Sequence, residues 1–307
     1  MSSEFTGKQV VQVSSTGFDA SNLKGKSVVI TGGGSGLGEE FAKSFAKAGA
    51  FVTIGDLSEE RGKRVVSEIG EDNAAFVQCN VLTWSDQVAL FQTAITRSPS
   101  KCIDIVIANA GISGQDSVWK DDASSPDADP IEPDLSVINT NLIGVMYTTK
   151  LAIHHLSRNP GGPDHDRCLI MTASIAGYLD QPGSPQYCAS KWGVRGIMRS
   201  LRRTMPMMSM RVNIIAPWFV KTAIISDEVI DRLESHGIEF AEKEDAARAV
   251  LHIASDKSMN GRALAVVPHD IAAEGYMDLQ KDDHAEDDIV TGWQNLAMKV
   301  SHRIGTK

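Results

Sequence analysis

The 307-residue chain is poor in cysteine, and its four cysteines are far apart and show no CxxC spacing. Each lies among apolar neighbours, as a reduced structural cysteine does. They are Cys79, Cys102, Cys168 and Cys188. This pattern predicts neither a disulfide framework nor a zinc site, and we expect no metal.

The chain also lacks an excess of positive charge and any long apolar run. Its formal net charge is -9 and its pI is about 5.4, which argues against a nucleic-acid or anionic membrane surface. No apolar run approaches the 18 or so residues of a membrane span. Residues 1–20 are polar and have no apolar core of a signal peptide, so we expect a cytoplasmic protein.

What is present is a regular alternation of β-branched runs and amphipathic segments. Predicted strands cover 27–30, 51–54, 75–79, 103–107, 168–172, 211–216 and 263–267, and predicted helices include 58–69, 85–97, 134–156 and 187 to about 205. Such alternation predicts an α/β fold, a single doubly wound parallel sheet (Rossmann fold) with helices on both faces. We expect one domain over about 23–270, with a polar extension at 1–22 and a C-terminal extension at 271–307 that ends in an amphipathic helix.

A glycine-rich turn, Thr31 to Gly38, joins the first predicted strand to the first helix. A helix N-terminus reached through glycines offers free backbone N–H groups to a phosphate, although tight packing alone can also explain such a turn. Asp56 ends the second strand, near the spacing of about 20 residues expected for an acid on a ribose 2′-hydroxyl. A carboxylate there repels a 2′-phosphate, so we expect NAD as cofactor. The alternative for Asp56 is a helix N-cap.

Asn80 and Asn109 also follow predicted strands, and each could be a turn residue or part of a cofactor rim. The acidic loop 114–134, which contains Asp116, Asp121, Asp122, Asp127 and Asp129, is expected to be a solvated surface loop beside that rim. The segment 218–245 is expected to cover a substrate. Its apolar positions between 224 and 233 fit one helix face, and core packing explains them equally well.

Tyr187 and Lys191 have the i, i+4 spacing that places two side chains on one helix face. An ammonium close to a phenol favours the phenolate and lowers the pKa of the tyrosine, which makes Tyr187 a candidate general base. Ser174, earlier in the chain, is a candidate hydrogen-bonding partner for the same substrate oxygen. By itself the Tyr-Lys spacing is also compatible with a half-buried tyrosine beside a solvated lysine.

Taken together these motifs resemble the short-chain dehydrogenase/reductase family over about residues 24–268, and most closely its NAD-dependent subgroup with 15-hydroxyprostaglandin dehydrogenases and fungal alcohol dehydrogenases of aromatic polyketide pathways. The matching residues are TGGGSGLG at 31–38, Asp56, Asn109-Ala110-Gly111, Asn141 to Gly144, Ser174, Tyr187 with Lys191, and Pro217 with Thr222.

The resemblance implies a catalytic tetrad of Asn141, Ser174, Tyr187 and Lys191. Tyr187 would exchange the proton, Ser174 would orient the substrate oxygen, Lys191 would hold the nicotinamide ribose, and Asn141 would hold a water next to Lys191; the alternative for Asn141 is a residue that satisfies a helix kink. The implied NAD contacts are Gly32, Gly34, Ser35, Gly36, Leu37, Gly38, Asp56, Leu57, Asn80, Val81, Asn109, Ala110, Gly111, Tyr187, Lys191, Pro217, Val220 and Thr222.

The chain departs from the family pattern at Asn80, where aspartate is usual, and at Trp218, where glycine usually follows the proline. We expect the Trp218 indole to narrow the substrate pocket or to stack on a planar substrate, alongside Ser174 and Tyr187. The resulting hypothesis is an NAD(H)-dependent oxidoreductase that interconverts a secondary alcohol and a ketone on a lipophilic or aromatic molecule, as a homodimer or homotetramer. Alternatives are an NADH-dependent ketoreductase, a nucleotide-recycling epimerase or dehydratase, and a non-catalytic NAD-binding sensor.

Overall fold

A computed structural model describes residues 18–119, 129–162 and 164–300. It contains one eight-stranded sheet in the order β3-β2-β1-β4-β5-β6-β7-β8, parallel except for the last pair. The strands are β1 Ser27–Thr31, β2 Phe51–Asp56, β3 Ala74–Gln78, β4 Ile105–Ala108, β5 Cys168–Thr172, β6 Arg211–Pro217, β7 Ala263–Val266 and β8 Tyr276–Asp278. This confirms the predicted doubly wound α/β fold.

Helices pack on both faces of the sheet, as the alternation predicts. They are α1 Gly36–Lys47, α2 Glu59–Ile69, α3 Trp84–Arg97, α4 Ser136–Ile138, α5 Gly144–Leu156, α6 Pro185–Leu201, α7 Asp227–Ser235, α8 Lys243–Ser255 and α9 Ile289–Val300. Short 3-10 turns lie at Ala20–Leu23, Ile175–Gly177 and Met205–Met208. In the part of the chain that the structure describes, no helix is long and apolar enough to cross a membrane.

The alternation of side chains along each strand divides the core into two layers. Val28 and Ile30 of β1 face a cluster built with α1, α2 and α8, whereas Val29 between them faces a cluster built with α3, α5 and α6. Both neighbours and Val29 itself are fully buried. Burying a side chain of this size stabilises the fold by roughly 1.5–3 kcal/mol. This packing fixes the strands, and with them the edge at which their carboxyl ends lie.

Several elements differ from the sequence predictions. The sheet does not end at β7, because β8 adds an antiparallel strand at its edge. The predicted helix 134–156 contains a π-helical turn at Asn139–Ile143 between α4 and α5. The predicted helix from Tyr187 stops at Leu201, and a 3-10 turn follows. Helix α8 was not predicted. Residues 1–17 of the N-terminal extension lie outside the described residues.

Candidate active site

Tyr187 and Lys191 both lie on α6, one turn apart, near the end that starts at Pro185. Lys191 is 5% exposed, and its Nζ donates to the Thr172 carbonyl at 3.1 Å. The same ammonium lies 5.4 Å from the centre of the Tyr187 ring. Burial lowers the pKa of Lys191 to about 8, because it disfavours the charged form. Lys191 is therefore not the solvated side chain that the alternative interpretation of the Tyr-Lys spacing predicts.

Ser174 lies just beyond the end of β5 and caps the short 3-10 turn at Ile175–Gly177. Its Oγ accepts the N–H of Ala176 at 3.2 Å and lies 3.5 Å from the Pro217 carbonyl, to which it donates. Burial raises the pKa of Tyr187, while a hydrogen bond with Ser174 acts in the opposite direction. The expected lowering of this pKa is not found in the protein alone, because desolvation of the phenol outweighs the hydrogen bond with Ser174. Tyr187 is thus held as a neutral phenol.

Asn141 is completely buried in the π-helical turn. Its Nδ2 donates to the Ile112 carbonyl at 2.9 Å and its Oδ1 accepts the Ile112 N–H at 2.8 Å, which joins the helix to the loop after β4. A Cβ on Gly111 would lie 3.2 Å from Asn141 Oδ1 and 3.7 Å from Lys191 Nζ. The two side chains therefore converge on the backbone at Gly111, where a Cβ would press on the Asn141 amide oxygen.

The glycine-rich turn leads from β1 into the N-terminus of α1 at Gly36. Gly32 has φ 66°, and a Cβ there would lie 2.8 Å from the Ala110 Cα, so both backbone conformation and space require glycine. Ser35 precedes the helix without a side-chain capping bond. The N–H groups of the first turn, which have no intrahelical acceptors, therefore stay open toward an anion.

Asp56, the last residue of β2, points its carboxylate back at this turn. Its Oδ2 accepts the Gly34 N–H at 2.9 Å and its Oδ1 accepts the Ser58 N–H at 2.9 Å. The N-cap of α2 is Ser58 and not Asp56, because the Ser58 hydroxyl accepts the Arg61 N–H. The structure therefore excludes the N-cap interpretation of Asp56, and its contact with a cofactor ribose stays a prediction.

The remaining predicted cofactor residues lie at the same sheet edge but differ in their hydrogen bonds and in their exposure to solvent. The Asn109 side chain donates to the carbonyls of Thr31 and Gly32 and accepts from the Thr172 hydroxyl, so it braces three strand ends. The Asn80 carboxamide oxygen accepts the Leu82 N–H, as a turn residue does. Val81 is buried, whereas Leu57 is 66% exposed.

The segment after β6 lies across this edge. The Thr222 Cβ is 3.4 Å from the position of a Cβ on Gly36, and the Ser113 hydroxyl donates to the Ile224 carbonyl at 2.8 Å. Val220 is buried and bridges to Ala241. No residue of α7 is buried, so core packing does not explain its apolar face.

Trp218 directly follows β6. Its Nε1 donates to the Glu239 carbonyl at 3.1 Å, and its ring packs edge-on against Phe219 with 4.9 Å between centroids. The indole is therefore anchored within the predicted cover, and its contact with a substrate stays a prediction.

Sequence reasoning missed the buried carboxylates around α6. Asp116, expected in a solvated loop, is 7% exposed, and its Oδ2 accepts the Gln186 N–H at 2.7 Å in the first turn of α6. The expectation is wrong for this residue because a helix N-terminus stabilises a buried carboxylate. Asp282, which stands in an acidic stretch of the C-terminal extension, is 4% exposed. The helical spacing of Arg195, Arg199 and Arg202 was a signal for a carboxylate partner. Asp121, Asp122 and Asp127 lie outside the described residues.

Comparison with known proteins finds a family model and relatives that match this chain over most of its length. The family model for short chain dehydrogenase matches residues 26–232. A 5'-hydroxyaverantin dehydrogenase from Dothistroma septosporum is 36% identical over 91% of this chain and 92% of the relative. Another from Emericella nidulans is 36% identical over 90% and 91%, respectively. An NADP-dependent dehydrogenase from Phoma sp. is 30% identical over 82% of this chain and 78% of the relative.

Solved structures show the same likeness. A 3-ketoacyl-(acyl-carrier-protein) reductase from Brucella melitensis, complexed with NADH, superposes with a TM-score of 0.68 at 28% identity, over 80% of this chain and 97% of that one. A 7α-hydroxysteroid dehydrogenase complexed with NADH and a 7-oxo bile acid superposes with a TM-score of 0.67 at 25% identity, over 81% and 96%.

Proposed function

The chain belongs to the short-chain dehydrogenase family and is an oxidoreductase that acts on an alcohol or ketone. On that premise we propose that it uses NAD(H) and interconverts a secondary alcohol and a ketone on a lipophilic or aromatic small molecule. One observation carries the proposal. The phenol of Tyr187 lies next to Ser174 and Lys191, at the carboxyl edge of the sheet where the glycine-rich turn also lies.

The residues of this edge fit a dinucleotide. The uncapped N-terminus of α1 suits the pyrophosphate, and the Asp56 carboxylate suits the ribose next to the adenine. Lys191 Nζ, held beside Gly111, suits the ribose next to the nicotinamide, and Thr222 lies over the turn at Gly36. When bound, the nicotinamide supplies or accepts the hydride.

The protein's own groups then handle the proton. Because burial keeps Tyr187 protonated, it can donate its proton to a ketone oxygen during reduction and must be deprotonated before it serves as a base in oxidation. Ser174 holds the same oxygen by a hydrogen bond. The Lys191 ammonium stabilises the phenolate that forms, and Asn141 keeps the loop at Ile112 against this group.

NAD is favoured over NADP because the Asp56 carboxylate is held rigidly by two backbone N–H groups and would repel a 2′-phosphate. The structural neighbours that contain NADH support this choice, while the relative from Phoma sp. named as NADP-dependent makes a direct test necessary.

The substrate class is inferred from the rim of the cleft. Large apolar side chains stay exposed on the segments that flank it, among them Ile112, Trp119, Leu135 and Ile224. Apolar side chains that line a binding site favour an apolar ligand. Relatives named as 5'-hydroxyaverantin dehydrogenases from two fungi support a role in fungal secondary metabolism.

The test is the substitution Tyr187→Phe, assayed with a panel of hydrophobic secondary alcohols and NAD by absorbance at the NADH band. We expect turnover to fall by about 10³-fold or more, since the phenol oxygen carries the proton, while NADH affinity stays near wild type. The matched control is Tyr147→Phe, because Tyr147 lies on α5 with its ring against Trp84. Turnover that survives Tyr187→Phe would contradict the proposal.

The same assay separates the alternatives. An epimerase or dehydratase that recycles its nucleotide releases no net NADH, and a sensor gives no turnover with any alcohol. Net NADH from an alcohol, or net NADH consumption with the matching ketone, supports the oxidoreductase.

A further inference from the structure

The segment that follows β8 delivers a buried carboxylate to the helix that carries Tyr187. Asp282 Oδ2 accepts the Tyr178 hydroxyl at 2.6 Å, and Asp282 Oδ1 accepts Arg195 Nε at 2.7 Å. Arg195 lies one turn after Lys191 on α6, and Tyr178 ends the 3-10 turn that Ser174 begins. One carboxylate therefore joins the loop of Ser174 to the helix of Tyr187.

Arg195 strengthens the same connection. Its Nη1 donates to the Gly177 carbonyl at 3.1 Å, and its guanidinium carbon lies 4.0 Å from the centre of the Tyr178 ring. The loop and helix are so close here that a Cβ on Gly177 would lie 3.0 Å from the Lys191 carbonyl oxygen. A shift of Arg195 would therefore displace the loop relative to α6.

The backbone of the segment is bound along the same helix face. Arg202 Nη2 donates to the Asp282 carbonyl at 2.7 Å, and Arg199 donates to the same carbonyl. Arg195 Nη2 donates to the Lys281 carbonyl at 2.7 Å. Burial by itself would raise the pKa of Asp282, but hydrogen bonds from Tyr178 and Arg195 outweigh it and hold the pKa below its ordinary value. The carboxylate is therefore ionised at neutral pH.

We propose that Asp282 is a positioning residue of the active site, which sets the placement of the Ser174 hydroxyl relative to the Tyr187 phenol by holding Tyr178 and Arg195 at once. The proposal rests on the proposed function of Ser174 and Tyr187. Both groups must meet one substrate oxygen, and a misplacement of about 1 Å costs roughly 10²-fold in rate. The Asp282 carboxylate bonds to Tyr178 and Arg195 and to neither Ser174 nor Tyr187, so its effect reaches the reaction through the two elements that it joins.

Aspartate suits this position better than its amide. Two carboxylate oxygens accept the phenol and the guanidinium separately, and the charge compensates an arginine whose side chain is only 12% exposed. An asparagine has one acceptor oxygen, and its NH₂ would face a donor. Asp282→Asn therefore keeps the shape and breaks one of the two connections.

The experiment compares Asp282→Asn with Asp283→Asn in the full chain. Asp283 is the neighbouring residue, has a side chain 52% exposed, and pairs with Arg202 and Arg262. We expect Asp282→Asn to lower kcat at least about tenfold, with the alcohol KM and the NADH Kd within about twofold of wild type. Asp283→Asn should leave kcat unchanged. An Asp282→Asn protein with wild-type kcat, or with KM and Kd impaired as much as kcat, overturns the proposal.

Tyr178→Phe is a second, more conservative substitution. It tests the proposal even if Asp282→Asn does not fold. It removes the phenol oxygen and leaves the Arg195 pair intact. We expect kcat to fall with KM unchanged, and the double variant to lose no more than Asp282→Asn alone, because both act through one connection. Independent, multiplying losses or an unchanged kcat in Tyr178→Phe contradict the proposal. If Tyr187→Phe retains turnover, the proposed function itself fails. If Tyr187→Phe loses turnover but the Asp282 and Tyr178 variants keep wild-type kcat, this inference alone fails.

Discussion

Asp56 shows how a single side chain can be fixed mainly by backbone N–H groups. Its two carboxylate oxygens accept the backbone N–H groups of Gly34 and Ser58, and a Cβ on Gly34 would lie 2.8 Å from the Asp56 carboxyl carbon. The nearest guanidinium, on Arg61, is 3.7 Å away and belongs to a side chain that is 53% exposed. Since exposed pairs contribute little, the backbone bonds hold the carboxylate in place.

At this scale we predict that Asp56→Ala relaxes the cofactor preference toward NADP. The substitution removes the charge that repels a 2′-phosphate and leaves Arg61 free to approach one. The ratio of kcat/KM for NAD to that for NADP should fall about tenfold, a change of about 1.4 kcal/mol. Steady-state kinetics with both cofactors measure it.

The control for this prediction is Glu59→Ala. It removes the same charge three positions later, from a side chain that is exposed and pairs with Lys63. Its cofactor ratio should match wild type. An unchanged ratio in Asp56→Ala would show that the carboxylate does not select the cofactor.

Helices α1 and α2 are joined by a network of four charges next to the glycine-rich turn. Glu39 Oε2 accepts Arg64 Nη2 at 2.6 Å, and its Oε1 accepts Lys43 Nζ at 2.7 Å and Arg64 Nη1 at 3.0 Å. Glu68 pairs with the same two cations. Arg64, followed by Lys43, lowers the pKa of Glu39 to about 2 against the opposing effect of burial. The pairing therefore stabilises the fold only while Glu39 is ionised.

At the scale of elements we predict that Glu39→Gln destabilises the protein at pH 7 by about 1 kcal/mol, after allowance for solvent screening of Arg64. A lowered folded-state pKa contributes stability above the ordinary value of 4.5 and loses it as the pH falls toward about 2. The deficit of the variant should therefore shrink between pH 5 and pH 3. Urea unfolding across this range measures it.

The exposed pair of Glu59 and Lys63 supplies the control, since both side chains are more than half exposed. Glu59→Gln should leave the urea midpoint unchanged at every pH. A deficit of Glu39→Gln that stays constant down to pH 3 would mean that its charge is not the cause.

At the scale of the whole molecule, the sheet and its two helical layers form the core, to which residues 289–298 of α9 do not add. Ile289, Trp293 and Leu296 have one-face helical spacing, yet they are 64%, 61% and 61% exposed. Of the two expectations for this helix, packing on its own subunit or on a partner, the described part of the chain does not provide the first for these three side chains. Contact with a second subunit stays a prediction, as does the homodimer or homotetramer.

We predict that a chain truncated after Asp288 keeps its unfolding temperature within about 2 °C and its kcat. The reason is that no large apolar side chain is buried among residues 289–298, the part of α9 whose side chains the structure describes. A loss of 1 kcal/mol would shift Tm by about 2–4 °C in a domain of 150–250 residues. Calorimetry and light scattering on both chains measure stability and assembly. A lower Tm together with a smaller assembly would instead assign α9 to a subunit interface.

A chain truncated after Gln280 is the informative counterpart, because it also loses Asp282. Its kcat should fall, in contrast to the chain that ends at Asp288. Equal activity in the two truncated chains would separate the C-terminal segment from the active site.

The amino-acid sequence by itself determined the features that depend on local spacing. The alternation of strands and helices determined a doubly wound sheet, and parallel strands bring Asp56, Asn109 and Ser174 to one edge whatever the details of packing. The i, i+4 spacing of Tyr187 and Lys191 determined that they share a helix face. These relations follow from periods of two and 3.6 residues, which can be read from a linear string.

Only the tertiary structure decided the features that depend on burial and on contacts distant along the chain. It decided that Tyr187 has a raised pKa, because desolvation depends on what surrounds the phenol. It decided that Asp116 and Asp282, two members of acidic stretches, are buried partners of α6, 70 and 87 positions from Gln186 and Arg195. The residues next to a carboxylate in a polar stretch do not show whether a cation or a helix end distant in the chain will contact it. Its role can therefore be read only from the folded chain.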